Sequence, residues 1–103
     1  MLTANEQLVM LAISRCGKDA YALSIQEEIK VHGHRLTLGV LYTVLNRLER
    51  RQLVRHRDGD ATPERGDRPK RFYALTGTGA RALRSALQIL DSLRSGTFAL
   101  QGA

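Results

Sequence analysis

Leu38-Gly39-Val40-Leu41-Tyr42-Thr43-Val44-Leu45-Asn46-Arg47-Leu48-Glu49-Arg50-Arg51 carries the clearest helical periodicity in the chain. Apolar side chains recur at Val40, Leu41, Val44, Leu45 and Leu48, the spacing that lines one face of an α-helix. The other face carries Thr43, Asn46, Arg47, Glu49 and Arg50. One side is therefore a core surface and the other is polar and basic. Thr37, just before the run, supplies an N-cap hydroxyl.

The pattern changes on both sides of this helix. Downstream, Leu53-Val54-Arg55-His56-Arg57 reads as a strand. Residues 58–69 hold both prolines and most of the turn formers, so they read as a loop, and Lys70-Arg71-Phe72-Tyr73-Ala74-Leu75 reads as the returning strand. Thr76 caps a last helix with Leu83, Leu87, Leu90 and Leu93 in one row, widened by Ala86 and Ile89. The tail after Gly96 is expected to fray. Upstream, Thr3 and Glu6 have capping-box spacing and open a first helix over about residues 4–16, stopped by Gly17. Its apolar face is broad: Leu8, Leu11, Ala12 and Cys16 form a stripe, with Val9 and Ile13 beside it. Ser24 and Glu27 repeat the capping-box spacing ahead of a short helix that ends near Val31, and Gly33 breaks it.

Helix, helix, helix, hairpin, helix is the order of a winged helix-turn-helix, an α+β fold that is mostly helical. We read residues 1–76 as the winged helix-turn-helix domain. Residues 77–103 form a C-terminal dimerisation helix with a short tail, in the same structural unit. The third helix is the expected groove reader because its exposed face is polar and basic.

The charge balance agrees with this reading. Sixteen Lys and Arg stand against ten Asp and Glu, a net charge of +6 on 103 residues. Nine of the sixteen fall between Arg47 and Arg71, which favours a polyanionic partner, double-stranded DNA. A single cysteine, Cys16, permits no internal disulfide and suits a reducing compartment. No signal peptide and no membrane span are read, so a cytoplasmic location is expected. No phosphate-binding loop, nucleophile elbow or pair of carboxylates in an apolar setting is present, so an enzyme is not expected, and neither is a cofactor. His32 and His34 form an H-x-H pair, but no third or fourth ligand is placed to close a metal shell.

Several of these stretches match one family at consistent spacing. Leu38 to Glu49, with Gly39, Leu41-Tyr42, Leu45 and Leu48, resembles the recognition-helix signature of PadR-type transcriptional regulators. Thr62-Pro63-Glu64-Arg65-Gly66 followed by Lys70 to Thr76 is similar to the wing of short members, and Leu75-Thr76-Gly77-Thr78-Gly79 resembles the family's entry into the last helix. The resemblance covers about residues 3–94. It departs at three places. Ala20 stands where the family has Gly before Tyr21, Thr43 stands where many members have Pro, and Gln52 where many have Gly. If position 52 is left-handed, a non-Gly residue there costs on the order of 1 kcal/mol. The resemblance implies the compact form, which dimerises through its terminal helices, and it implies repression.

The site expected from all this is as follows. Gly39 leaves the first turn of the third helix open to a phosphate. Tyr42 offers its hydroxyl to a phosphate while its ring rests on the wing. Thr43, Asn46 and Arg47 read base edges, with Arg50 on the same face. Arg65 and Arg68 sit near the wing tip for the minor groove. Lys70 and Arg71 anchor phosphates. Leu8, Leu11, Leu83, Leu87, Leu90 and Leu93 form the homodimer contact, and the operator is an inverted repeat. Two alternatives stay open: a winged-helix protein–protein adaptor that binds no DNA, and a ligand- or metal-sensing winged-helix regulator of another family. A small-molecule inducer is likewise left open.

Overall fold

The computed structural model describes residues 1–59 and 70–97. The elements are α1 (Ala4–Cys16), a 3-10 turn (Gly17–Asp19), α2 (Ala22–Val31), α3 (Leu38–Arg50), β1 (Val54–Asp58), β2 (Arg71–Leu75) and α4 (Gly77–Arg94). Helices α1, α2 and α3 enclose the core, the antiparallel β1–β2 hairpin is the wing, and α4 follows it.

Three of the four helices start on a threonine. Thr3 Oγ1 accepts from the Glu6 amide (3.1 Å) and Glu6 Oε1 accepts from the Thr3 amide (2.8 Å), a complete capping box. Thr37 caps α3 through the Val40 amide, and Thr76 caps α4 through the Gly79 amide. The second helix differs from the expectation. Ser24 is not its N-cap; α2 begins at Ala22, with Tyr21 as the capping residue. The Ser24 hydroxyl accepts from the Tyr21 amide (2.9 Å) and donates to the Asp19 carbonyl, so it closes the preceding turn from inside the helix.

The core is built from Val9, Met10, Ala12 and Ile13 of α1, Ile25 and Ile29 of α2, and Leu41, Val44, Leu45 and Leu48 of α3. Each of the large apolar side chains contributes about 2 kcal/mol by burial. Two details correct the reading of the sequence. The α1 face turned inward is centred on Val9 and Ile13, while Leu8 and Leu11 are only half-buried. Val40 is 42% exposed and lies outside the α3 core stripe, because Leu41, Val44, Leu45 and Leu48 already fill the i, i+3, i+4, i+7 positions.

The end of α3 is a Schellman motif. The Leu53 amide donates to the Leu48 carbonyl and the Gln52 amide to the Glu49 carbonyl (both 2.9 Å), with Gln52 left-handed at φ +60°. This turn also docks α4. Thr76 donates from its amide to the Leu53 carbonyl (3.0 Å) and from its hydroxyl to the Gln52 carbonyl (2.7 Å). Gly79 lies so close that a Cβ on it would fall 1.9 Å from the Leu53 oxygen, so a side chain there is excluded. From that joint α4 buries Leu83, packs Ala82, Ala86 and Leu87 partly against the core, and then leaves it.

Candidate nucleic-acid interface

Helix α3 presents a surface opposite its core stripe. Taking 100° per residue from the 3.6-residue turn, Gly39, Thr43, Asn46 and Arg50 fall in one narrow line facing directly away from Leu41, Val44, Leu45 and Leu48. All four are exposed. Arg47 lies to one side of that line, in a shallow groove it shares with Gly39, Val40, Thr43 and the first residues of α1, Thr3, Ala4 and Asn5. Tyr42 and Glu49 lie to the other side, toward the wing. Of the α3 residues expected to read DNA, the structure thus places Gly39, Thr43, Asn46 and Arg50 in the central line and Arg47 and Tyr42 on opposite flanks.

The wing side is organised by aromatic rings. A cleft between α2, α3 and the wing is lined by Tyr21, Leu23, Tyr42, Asp58, Lys70, Arg71 and Tyr73. Tyr42 is half-exposed there, beside Lys70 and Arg71, so three of the four expected phosphate partners converge on one cleft, and Gly39 lies outside it. The Lys70 ammonium sits 4.3 Å over the Tyr21 ring, and the Arg57 guanidinium sits 4.7 Å over the Phe72 ring. Tyr21 and Phe72 meet edge to face at 5.8 Å. These contacts fix two cations without neutralising them, since a ring face attracts a cation but carries no charge. Reading the sequence did not find Tyr21 or Phe72 as wing anchors; the available signal was that adjacent aromatics in a strand point to opposite faces, Phe72 outward and Tyr73 inward.

The recognition helix is also braced against the wing. The helical pattern puts Glu49 on the exposed face of α3, but it is half-buried and pairs with His56 Nδ1 of β1, while His56 Nε2 is 3.9 Å from Asp58. Tyr73 lies beneath them, its ring 5.9 Å from that of His56. Burial pushes the Tyr73 phenol pKa up, and its buried hydroxyl has no hydrogen-bond partner among the described residues. At the opposite end, Glu6 is buried and accepts from Arg51 (3.0 Å), which ties the start of α1 to the end of α3. Burial raises its pKa, but the Thr3 hydrogen bonds and the Arg51 charge outweigh that, and the net direction is down.

Arg65 and Arg68 lie outside the described residues. The expected dimer residues divide: Leu83 is 5% exposed and belongs to the chain's own core, a correction to its place in the expected homodimer contact, whereas Leu90 is 50% and Leu93 74% exposed. Leu8, Leu11 and Leu87 are intermediate, with Leu11 and Leu87 packed against the core edge. Among the described residues no group of three or more His, Cys, Asp and Glu is placed to hold a metal ion, and no helix is long and apolar enough to cross a membrane. His32 and His34 are exposed, and the Cys16 thiol donates to the Ser24 carbonyl (3.6 Å), with burial raising its pKa.

The family profile described as the transcriptional regulator PadR-like family matches residues 9–85, which includes α2, α3, the wing and the first half of α4. The chain belongs to the PadR-like family of transcriptional regulators. A PadR-like transcription factor from Bacteroides fragilis is 27% identical, with a TM-score of 0.76 over 93% of this chain and 88% of its own. A PadR family transcriptional regulator from Eggerthella lenta is 26% identical, with a TM-score of 0.73 over 94% of this chain and 83% of its own. A PadR-like transcriptional regulator from Bacillus cereus, 18% identical with a TM-score of 0.76 over 96% of this chain and 92% of its own, shares the fold. No curated protein sequence matches. The PadR-like chain is therefore a winged-helix DNA-binding regulator of transcription and not an enzyme. Its Gln52 has a left-handed backbone (φ +60°), the conformation that favours glycine.

Proposed function

We propose that the protein is a transcriptional repressor that binds an inverted-repeat operator as a homodimer in the cytoplasm. In each subunit residues 1–76 engage DNA and residues 77–103 pair the subunits. The observation that carries the DNA half of this reading is the line Gly39, Thr43, Asn46, Arg50 on the solvent side of α3, flanked by the cationic cleft of Tyr42, Lys70 and Arg71. A helix with that face enters the major groove. There Asn46 suits adenine, and Arg47 and Arg50 are the guanidinium groups within reach of guanine or phosphate. The cleft beside the wing then meets the sugar–phosphate backbone.

The dimer half rests on α4. Ile89, Leu90 and Leu93 expose about half or more of their surface on a helix that has left the core. A contiguous apolar row of this kind is stabilised by a symmetric partner, and a two-fold axis places two recognition helices about one turn of DNA apart.

Selection of duplexes from a random pool by the purified chain, followed by sequencing, tests both halves together. Enrichment of an inverted repeat with half-sites about one helical turn apart is the expected outcome. Enrichment of single, unpaired half-sites removes the dimer. No enrichment at moderate salt removes sequence-specific DNA binding and favours a protein-binding adaptor.

A further inference from the structure

The hydroxyl of Thr43 is already engaged. It donates to the Gly39 carbonyl one turn back (2.9 Å), the intrahelical bond that Thr forms when nothing else claims its proton. The side chain is nonetheless exposed, in the line that faces away from the core. With its proton given to the helix backbone, Thr43 has no donor left for an outside partner and presents its methyl group beside an oxygen that can only accept.

That methyl opens onto a roomy groove that has apolar groups along one side. Gly39, one turn N-terminal, has open space where a Cβ would stand, so nothing on its own helix screens Thr43 from that direction. The groove between α3 and the start of α1 is lined by Ala4, Val40 and Val44 as well as Thr43, with Thr3, Asn5 and Thr37 as its polar side and Arg47 as its one charged side chain. Val40, which the helical pattern assigns to the core, is exposed along this same groove. The apolar side of that groove, at the N-terminal half of the recognition helix, has one complement in the major groove. The thymine C5-methyl is the only apolar group that the four base pairs display there.

Resting on the DNA-reading role proposed above, we infer that Thr43 and the trough formed by Gly39, Val40 and Ala4 recognise a thymine methyl in each half-site. The contact is hydrophobic and Thr43 donates no hydrogen bond to the base. Asn46 lies three residues on, about 4.5 Å along the axis. The thymine therefore lies within one or two base steps of the pair that Asn46 reads.

The test uses the full chain and the duplex it selects, at fixed salt, with each thymine of the half-site replaced in turn by uracil, which removes only the methyl. One position should weaken wild-type binding about fourfold when replaced in one half-site, the worth of one buried methyl group, and about sixteenfold when replaced in both. Thr43→Val keeps the methyl shape and should bind within twofold of wild type, with the uracil penalty intact. Thr43→Ser keeps the hydroxyl. It should bind the thymine duplex as weakly as wild type binds the duplex with uracil in both half-sites, and should not distinguish the two. Both variants alter an exposed position, and circular dichroism checks that each is folded. If Thr43→Ser binds like wild type while Thr43→Val is weakened, the hydroxyl is the reader and the inference is overturned. It is also overturned if no uracil position matters on a duplex that is bound specifically, an outcome that leaves the proposed function standing. Failure to select any duplex removes both.

Discussion

Helices α3 and α4 begin alike and end differently. Each starts on a threonine whose hydroxyl accepts from the third amide of the helix, and each is strongly amphipathic. In α3 the apolar stripe is buried from Leu41 to Leu48, and the line opposite it is Gly39, Thr43, Asn46 and Arg50. In α4 the stripe is buried only at Leu83, and its continuation through Leu90 and Leu93 is exposed. The line uncovered on the first is polar and cationic and the row uncovered on the second is apolar, so one domain offers two partners two different kinds of contact. Water already solvates the α3 face well, and only a polyanion that releases its own counterions competes with that. The α4 face is poorly solvated, and a second apolar surface covers it.

The largest expected effect separates these roles. Leu90→Glu puts a carboxylate into the α4 row, where burial against a partner would cost several kcal/mol. The variant should sediment as a folded monomer. It should lose at least a hundredfold in affinity for a two-half-site operator while binding a single half-site as wild type does, because the loss is that of the tether and not of a contact. An equal loss on half and whole sites would show that α4 serves the DNA surface, and the contrast between the two helices would fail.

The α3 face should itself divide into readout and anchoring. Asn46→Ala, in the central line, should relax base preference at one position per half-site and cost about 1–3 kcal/mol on the preferred duplex alone. Lys70→Ala, in the flanking cleft, should weaken every duplex alike and reduce the dependence of log affinity on log salt by about one unit per subunit. Binding to scrambled duplexes over a salt series reads both. If the two variants lose the same amount on every sequence, the central line of α3 is not the reader.

How far the sequence alone leads differs between the same regions. Helix α3, the caps at Thr3, Thr37 and Thr76, the hairpin and the row on α4 are legible, because period, capping spacing and turn residues agree at each. Helix α1 is not legible in the same detail. Leu8 to Ile13 is apolar at every position, so periodicity cannot choose the inward face, and packing selects Val9 and Met10 over Leu8 and Leu11. Ser24 shows a similar ambiguity, since a serine three residues before a glutamate also fits inside a first turn. What the sequence hides most is contact at a distance. The Glu49–His56 brace, the cations over Tyr21 and Phe72, and the approach of Gly79 to the Leu53 carbonyl each join residues that no local pattern pairs.

A smaller effect concerns how α3 is held from below. The Glu6 carboxylate is buried and its pKa is lowered on folding. Burial acts against that direction, but the Thr3 hydrogen bonds and Arg51 prevail. A carboxylate with a depressed folded pKa contributes stability that is fully present above its unfolded pKa and is lost as pH falls through the folded value. Glu6→Gln keeps the cap but removes the charge opposite Arg51, and should cost about 1 kcal/mol at neutral pH. The difference in denaturant midpoint between wild type and variant should close as pH falls below the carboxylate range. A gap that stays constant into acid would mean that the Glu6 charge contributes nothing.

The smallest effect is at the joint between the two helices, where Gln52 ends α3 and its carbonyl receives the Thr76 hydroxyl that starts α4. Gln52 is the one non-glycine residue with positive φ among the described residues, at +60°. Its side chain is exposed, and the bonds that define the turn use only its amide and its carbonyl. Replacing it with glycine keeps both bonds and removes the clash of Cβ with the following carbonyl, worth about 1–2 kcal/mol in the left-handed region. The added freedom of glycine in the unfolded chain returns about 0.4–1 kcal/mol of that. Gln52→Gly should therefore raise the stability of the protein by about 0.5–1 kcal/mol, read as a higher denaturant midpoint with an unchanged slope. Neither exposed face is touched, so operator affinity and the monomer–dimer equilibrium should stay within twofold of wild type. A variant that gained stability but lost operator affinity would reveal that the strained turn sets the angle between reader and pairing helix. The two surfaces would then be coupled through Gln52 rather than independent.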